Sequence, residues 1–144
     1  MMPALMEETL VLLKPDCLDG RNCGEVLKRF EEADFIIFGV KMMRLSDEIL
    51  REHYAHLADK PFFPEIQKFM QSSSVIALAM RGDNAITRVR DMVGPTDSTI
   101  AAKGTIRGDF GQDKMRNVVH ASDSVENGQS EIKRFFLENE LHGR

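Results

Sequence analysis

Apolar positions along the chain form short runs that alternate with helical stripes. Thr9-Leu10-Val11-Leu12-Leu13 is apolar and stops at Lys14-Pro15-Asp16, which predicts a buried strand ended by a proline turn. After a loop over residues 20–24, Val26, Leu27, Phe30 and Ala33 fall at helical spacing with charges on the other face. Residues 35–42 are aromatic and β-branched and read as a second strand. Ser46 followed by Asp47 and Glu48 opens a helix expected to run to about residue 57, because a hydroxyl can cap and acids suit the positive end of the dipole. Lys60-Pro61 breaks it. Phe63, Ile66 and Met70 mark a further helix, closed by Ser72-Ser73-Ser74, and residues 75–80 form a third strand. Gly82-Asp83-Asn84 opens a helix with Ile86, Val89 and Val93 inward, ended by Gly94-Pro95.

Residues 95–116 show no period, and a structureless stretch of about twenty residues in a compact domain is usually functional or disordered. Residues 117–120 read as a brief strand. Asp123-Ser124-Val125-Glu126 has the spacing of an acidic capping box, before a last helix with Ile132, Phe135 and Phe136 inward. No repeat or linker interrupts the pattern, so residues 1–144 read as one domain. By alternation alone the elements suggest a parallel, doubly wound sheet.

Composition narrows the classes. At 144 residues the chain can bury roughly 70% of its unfolded surface. With 42% hydrophobic and 29% charged residues it is no disordered or collagen-like chain. A net charge of -4 argues against a general nucleic-acid coat or a polybasic membrane binder. The longest apolar run, residues 75–80, is far short of the ~20 residues that span a bilayer. The start of the chain, with Pro3, Glu7 and Glu8, lacks the basic start and long apolar run of a secretory leader. Two cysteines, Cys17 and Cys23, suit a reduced compartment rather than a disulfide scaffold. The expectation is a soluble cytoplasmic protein.

The charge is uneven. Residues 81–116 carry seven basic and five acidic side chains, a net +2 against -6 for the remainder. Scatter explains this, and so does an anion site, since arginine forks match phosphate oxygens. No Walker-type loop or GxGxxG is present, so a nucleotide site would be built from side chains. Among the histidines, His53 and His56 have helical spacing, but no nearby carboxylate or cysteine in the sequence completes a metal site. His142 lies near the tail. His120 ends a strand, follows the basic loop and precedes a capped helix, where an imidazole can act as base or nucleophile. Read alone it is more readily a structural histidine. Ser122 lies two residues on, and Glu131 can fold back from the next helix to fix the tautomer.

Asn117-Val118-Val119-His120-Ala121-Ser122-Asp123-Ser124 resembles the active-site signature of nucleoside diphosphate kinases. The Thr9 to Asp16 stretch, His53-Tyr54, Lys60-Pro61-Phe62-Phe63, Val93-Gly94-Pro95-Thr96-Asp97 and Gly104-Thr105-Ile106-Arg107-Gly108-Asp109-Phe110 resemble further family blocks, in family order. The resemblance covers residues 7–136. It implies a ferredoxin-like βαββαβ core: a four-stranded antiparallel sheet with a helical pair inserted between the second and third strands and a long active-site loop. It also implies ping-pong transfer of the γ-phosphate of ATP or another nucleoside triphosphate to a nucleoside diphosphate, through a phosphohistidine at His120.

Carried onto matching positions, Glu131 and Ser122 orient His120, and Tyr54 packs beside it. Arg90, Thr96 and Arg107 hold phosphates. Lys14 and Asn117 bind sugar hydroxyls, with Lys14 also near the transferring phosphate. Phe62 stacks on the base, with Ile66 beside it. Magnesium would ride on the nucleotide and water rather than in a protein cage. The family implies homo-oligomers, and the Arg-Gly-Asp-Phe loop favours hexamers over tetramers. A ferredoxin-like sheet can instead carry single-stranded nucleic acid or a regulatory role. The 7% aromatic content and negative charge speak against the first, and His120, Arg107 and Asn117 against a dead relative. Three places depart from the family pattern: Ala121 and Asp34 stand where glycine is common, and Ser73-Ser74 where Gly-Pro is.

Overall fold

The structure, a computed structural model, describes residues 6–143, so the reading of the first five residues lies outside it. Four strands, β1 (Met6–Leu13), β2 (Ile36–Met43), β3 (Val75–Asp83) and β4 (Val119–Ala121), form one sheet in the order β2-β3-β1-β4. Every pairing is antiparallel. The parallel sheet suggested by alternation is therefore wrong, and the ferredoxin-like order is right. The cause of the misreading is local. Both central strands are covered on both faces, and a strand dry on both sides reads as an uninterrupted apolar run whatever its direction.

Side-chain alternation sorts the run. Val11, Leu13, Leu78 and Met80 pack on one face with helices α2 (Cys23–Glu32) and α5 (Ala85–Val93). Leu10, Leu12, Ala77 and Ala79 pack on the other with α3 (Asp47–His53), α4 (Phe63–Met70) and α7 (Val125–Phe135). Each buried leucine-sized side chain contributes about 1.5–3 kcal/mol, and this is what fixes the strand register.

Ser46 caps α3 as expected, accepting from Ile49 N at 3.1 Å. The helix stops at His53, short of residue 57, so His53 and His56 do not share a helix. At α7 the cap is Ser124, which accepts from Asn127 N at 3.0 Å, while Asp123 accepts from the Asn127 side chain at 2.5 Å. The register is one residue later than the acidic box predicted. The long loop is also more ordered than its sequence suggests. It holds a 3-10 turn, Ser98–Ile100, and the short helix α6 (Ile106–Phe110). Asp97 and Thr105 cap them. Gly108 lets the loop close on itself, because a Cβ there would meet Ala102 O at 1.9 Å. Asp34 takes the glycine-like conformation its position demands, φ 68, which an aspartate tolerates. A short helix, α1 (Pro15–Asp19), follows the Lys-Pro-Asp turn, and Cys17 and Cys23 are free thiols 3.8 Å apart.

Candidate active site

The residues before β4 are held in an unusual shape. Val119 N donates to Asn117 O at 2.8 Å around Val118, whose φ is 63. This is a γ-turn centred on a buried β-branched residue, a conformation that costs on the order of 1–3 kcal/mol and persists only where the surroundings impose it. The surroundings do so from three sides. Val118 N donates to Asp16 Oδ2 at 3.0 Å, and Lys14 N donates to Val118 O at 2.8 Å. Arg107, only 9% exposed, donates to the carbonyls of Asn117 (3.3 Å), Gly94 (3.1 Å) and Val119 (2.8 Å). His120 follows in the middle of β4 and lines the cleft.

His120 Nε2 lies 3.1 Å and 3.2 Å from the two Glu131 oxygens. Ser122, fully buried, donates to Glu131 Oε1 at 2.6 Å and accepts from Leu10 N at 3.0 Å. The carboxylate therefore has a partner on each side. Burial works against its charge, but the bonds from His120 and Ser122 prevail and hold it below the usual carboxylate range. With Nε2 given to Glu131, Nδ1 is the ring nitrogen left outside that bond. α7 can approach closely enough to deliver Glu131 because of Gly128, where a Cβ would sit 2.9 Å from Glu8 O.

Two cations are buried around the turn. Lys14, 7% exposed, donates to Met115 O at 2.6 Å and Asn117 Oδ1 at 2.7 Å. Burial lowers its pKa to about 8, with Asp16 pulling the other way. Arg107 falls to about 10 through burial and then the charge of Arg90, and stays charged at neutral pH. Arg90 itself is exposed and reaches Ala121 O at 3.3 Å. Asn117 Nδ2 donates to Thr96 O and Lys114 O, both at 3.0 Å. Tyr54 is driven up to about 12 by burial and by Glu131, so its hydroxyl stays protonated.

Ten of the eleven site residues expected from sequence line one open cleft of about 1380 Å³: Lys14, Tyr54, Phe62, Ile66, Arg90, Thr96, Arg107, Asn117, His120 and Glu131. Ser122 stands behind it. The basic segment divides. Arg90, Arg107, Lys114 and Arg116 reach this cleft, whereas Arg81 and Arg88 cover Phe38 and Phe35 on the sheet.

Sequence reasoning places His53 in a motif block with Tyr54 but gives it no role, and it misses Arg134. Spacing pairs His53 only with His56, yet it meets His120 edge-on at 4.5 Å, and Arg134 reaches its Nδ1 at 3.0 Å. Nothing in local spacing links residues 81 positions apart. His53, His120 and Glu131 also put three donor atoms within 4.8 Å. Glu131 is already engaged by His120 and Ser122 and His53 by Arg134, so the group is a hydrogen-bonded set.

A ferredoxin-like domain that presents a carboxylate-bound histidine to a cation-lined cleft has a site suited to phosphotransferase chemistry. The nucleoside diphosphate kinase family profile matches residues 7–141, and the chain belongs to that family. It is 47% identical to a mitochondrial nucleoside diphosphate kinase of Columba livia over 96% of this chain and 77% of the relative. It is 45% identical to the Acetivibrio thermocellus enzyme over 92% of this chain and 98% of the relative. The nucleoside diphosphate kinase of Aquifex aeolicus superposes with a TM-score of 0.91 at 41% identity, covering 95% and 99% of the two chains. That of Halobacterium salinarum, solved in complex with CDP, gives 0.92 at 38% identity, covering 97% and 93%. The activity is nucleoside diphosphate kinase, a phosphotransferase.

Proposed function

We propose that phosphate passes through His120 in a ping-pong cycle. The Nδ1 lone pair attacks the γ-phosphorus of a nucleoside triphosphate, chiefly ATP. An N–P bond forms, and the oxygen bridging to the β-phosphate leaves with the diphosphate. A second nucleoside diphosphate then attacks the phosphohistidine with a terminal oxygen and regenerates the free ring. The observation that carries this reading is the His120–Glu131–Ser122 set, which engages Nε2 and leaves Nδ1 outside that bond, on a ring that lines the same cleft as Arg90, Arg107 and Lys14. Glu131 keeps the Nε2 proton and stabilises the positive ring that develops on attack. Tyr54, whose ring meets that of His53 at 4.9 Å, supports the His120 ring through His53.

Arg90, Arg107 and Thr96 take the phosphates, and charge-assisted bonds of this kind are worth about 1.5–3 kcal/mol each. Lys14 and Asn117, already bonded to each other, meet the sugar hydroxyls, Lys14 as a donor and Asn117 through its Oδ1 acceptor, since both its N–H groups go to the Thr96 and Lys114 carbonyls, with Lys14 also near the moving phosphate. Phe62, 47% exposed, offers a face for any base, with Ile66 beside it. The cleft's donors fit magnesium that arrives on the nucleotide: the three-residue cluster is nitrogen-rich and hydrogen-bonded, unlike an all-oxygen magnesium cage. Bound there, the ion would neutralise phosphate charge.

The same reading extends to a cytoplasmic homo-oligomer, with a hexamer favoured over a tetramer. The edge strand β2 supports assembly, since it exposes Ile36, Val40 and Met42. Light scattering should give the mass of six 16.3 kDa chains, and a monomer or dimer would contradict it. For the cycle itself, initial rates at several fixed ATP concentrations against a varied diphosphate should give parallel double-reciprocal lines. Converging lines would mean direct transfer in a ternary complex.

A further inference from the structure

Behind His120 stands a second histidine for which the transfer reading has no task. The His53 side chain is 1% exposed at the end of α3. Its ring meets His120 at 4.5 Å and 77°, and Tyr54 (4.9 Å) and Phe135 (5.2 Å) close two further sides. Nδ1 lies 3.0 Å from an Arg134 guanidinium nitrogen and 3.9 Å from Glu131 Oε2. Arginine can only donate, so Nδ1 is the acceptor and the ring's one proton sits on Nε2. That Nε2 is buried without a hydrogen-bond partner among the described residues. Arg134 Nε in turn lies 3.3 Å from Glu52 Oε1, an ion pair without hydrogen-bond geometry. A proton on Nδ1 would face Glu131 and compete with His120 for Oε2.

We propose that Arg134 and His53 are positioning residues for phosphoryl transfer: Arg134, by occupying Nδ1, keeps His53 a neutral wall and reserves the Glu131 carboxylate for His120. The kinetic consequence rests on the phosphohistidine reading above, but the tautomer does not.

The groups facing His53 are His120 from β4 and Glu131 and Arg134 from α7, with Glu52, Tyr54 and His56 around the end of α3. Burial opposes its protonation first, the neighbouring His120, Arg134 and His56 add to that, and Glu131 favours it, leaving a pKa of about 3. Removing Arg134 takes away one opposing charge and frees Nδ1. His53 then protonates at a higher pH and draws Glu131 from His120. The acid limb of phosphorylation therefore moves upward.

The test compares wild type, Arg134→Met and Arg134→Lys, using nitrogen NMR of labelled histidines and single-turnover phosphorylation by magnesium and ATP against pH. In wild type, His53 Nδ1 should be unprotonated from about pH 5 to 8. In Arg134→Met the His53 titration and the acid limb should both rise by about one unit or more, with the KM for ATP unchanged within about twofold. The lysine variant, which retains a donor, should restore both. A wild-type spectrum with the proton on Nδ1 overturns the proposal. So does an Arg134→Met acid limb that coincides with that of wild type. Should the methionine variant not fold, the wild-type spectrum still decides. A wild type that takes no phosphate overturns the transfer reading and the kinetic claim with it, and the nitrogen spectrum separates that failure from a wrong tautomer.

Discussion

The two ends of the cleft are built to different tolerances. At the reacting end, His120, Glu131 and Ser122 are bound in series, Arg107 is tied to three carbonyls, and a strained γ-turn is held in place by Asp16 and Lys14. At the outer end, Phe62 is half exposed and Ile66 partly buried, and both are apolar, offering a surface rather than a hydrogen-bond pattern. The difference fits the proposed reading, in which the site is strict about chemistry and loose about the base. In-line transfer depends on positions within fractions of an ångström, whereas stacking accepts any aromatic base.

This contrast can be broken by substitution. Arg107→Met should have the largest effect. It removes the proposed phosphate contact and takes a donor from three carbonyls; Asn117 O keeps Val119 N, while the Gly94 and Val119 carbonyls lose their Arg107 bonds, at about 1–3 kcal/mol for each buried group left unpaired. Thermal unfolding should drop by about 10 °C, and kcat/KM should fall about 10²-fold or more. Normal melting with normal activity would show that the reacting end is not over-determined. Glu131→Gln keeps the shape and loses the charge. Phosphorylation should slow about 10- to 100-fold, one charge-assisted bond's worth, with little change in the KM for ATP. Phe62→Ala tests the loose end. KM should rise about 5- to 30-fold, by a similar factor for purine and pyrimidine diphosphates. A loss confined to one class would mean that the outer end reads bases after all.

A further effect is one of pH. With its folded pKa lowered to about 8, Lys14 loses its charge as pH rises through that value, whereas the unfolded chain keeps it to ~10.4. Between these values the unfolded state holds more protons, so the nucleotide-free protein should gain stability as pH rises from about 8 to 10. Nucleotide affinity should fall over the same range, by up to about tenfold per unit. Lys14→Met should flatten both trends in calorimetry.

Much of this architecture is legible in the sequence. The apolar stripes place all four strands and the main helices, because burial on a sheet face or helix face leaves a period. Strand direction is not legible in them, since β1 and β3 are dry on both faces and carry no directional signal. The Ser46 cap can be read from a local triplet, and the Ser124 cap is misread by one residue because Asp123 offers a competing oxygen. The motif blocks name the site residues, but pattern alone cannot bring them together. Lys14 and Asn117 are 103 positions apart and Leu10 and Ser122 are 112 apart, and only the β1–β4 pairing makes them neighbours. His53 and Arg134 escape for the same reason, belonging to no block that pairs them.

The central claim is that phosphate rests on His120 between substrates. The direct measurement loads the protein with magnesium and ATP labelled on the γ-phosphate, isolates it, and then adds unlabelled GDP. An acid-labile label that appears on the wild type, moves to GTP and never appears on His120→Ala is the predicted result. A wild type that takes no label, or a His120→Ala protein that takes as much, would contradict it.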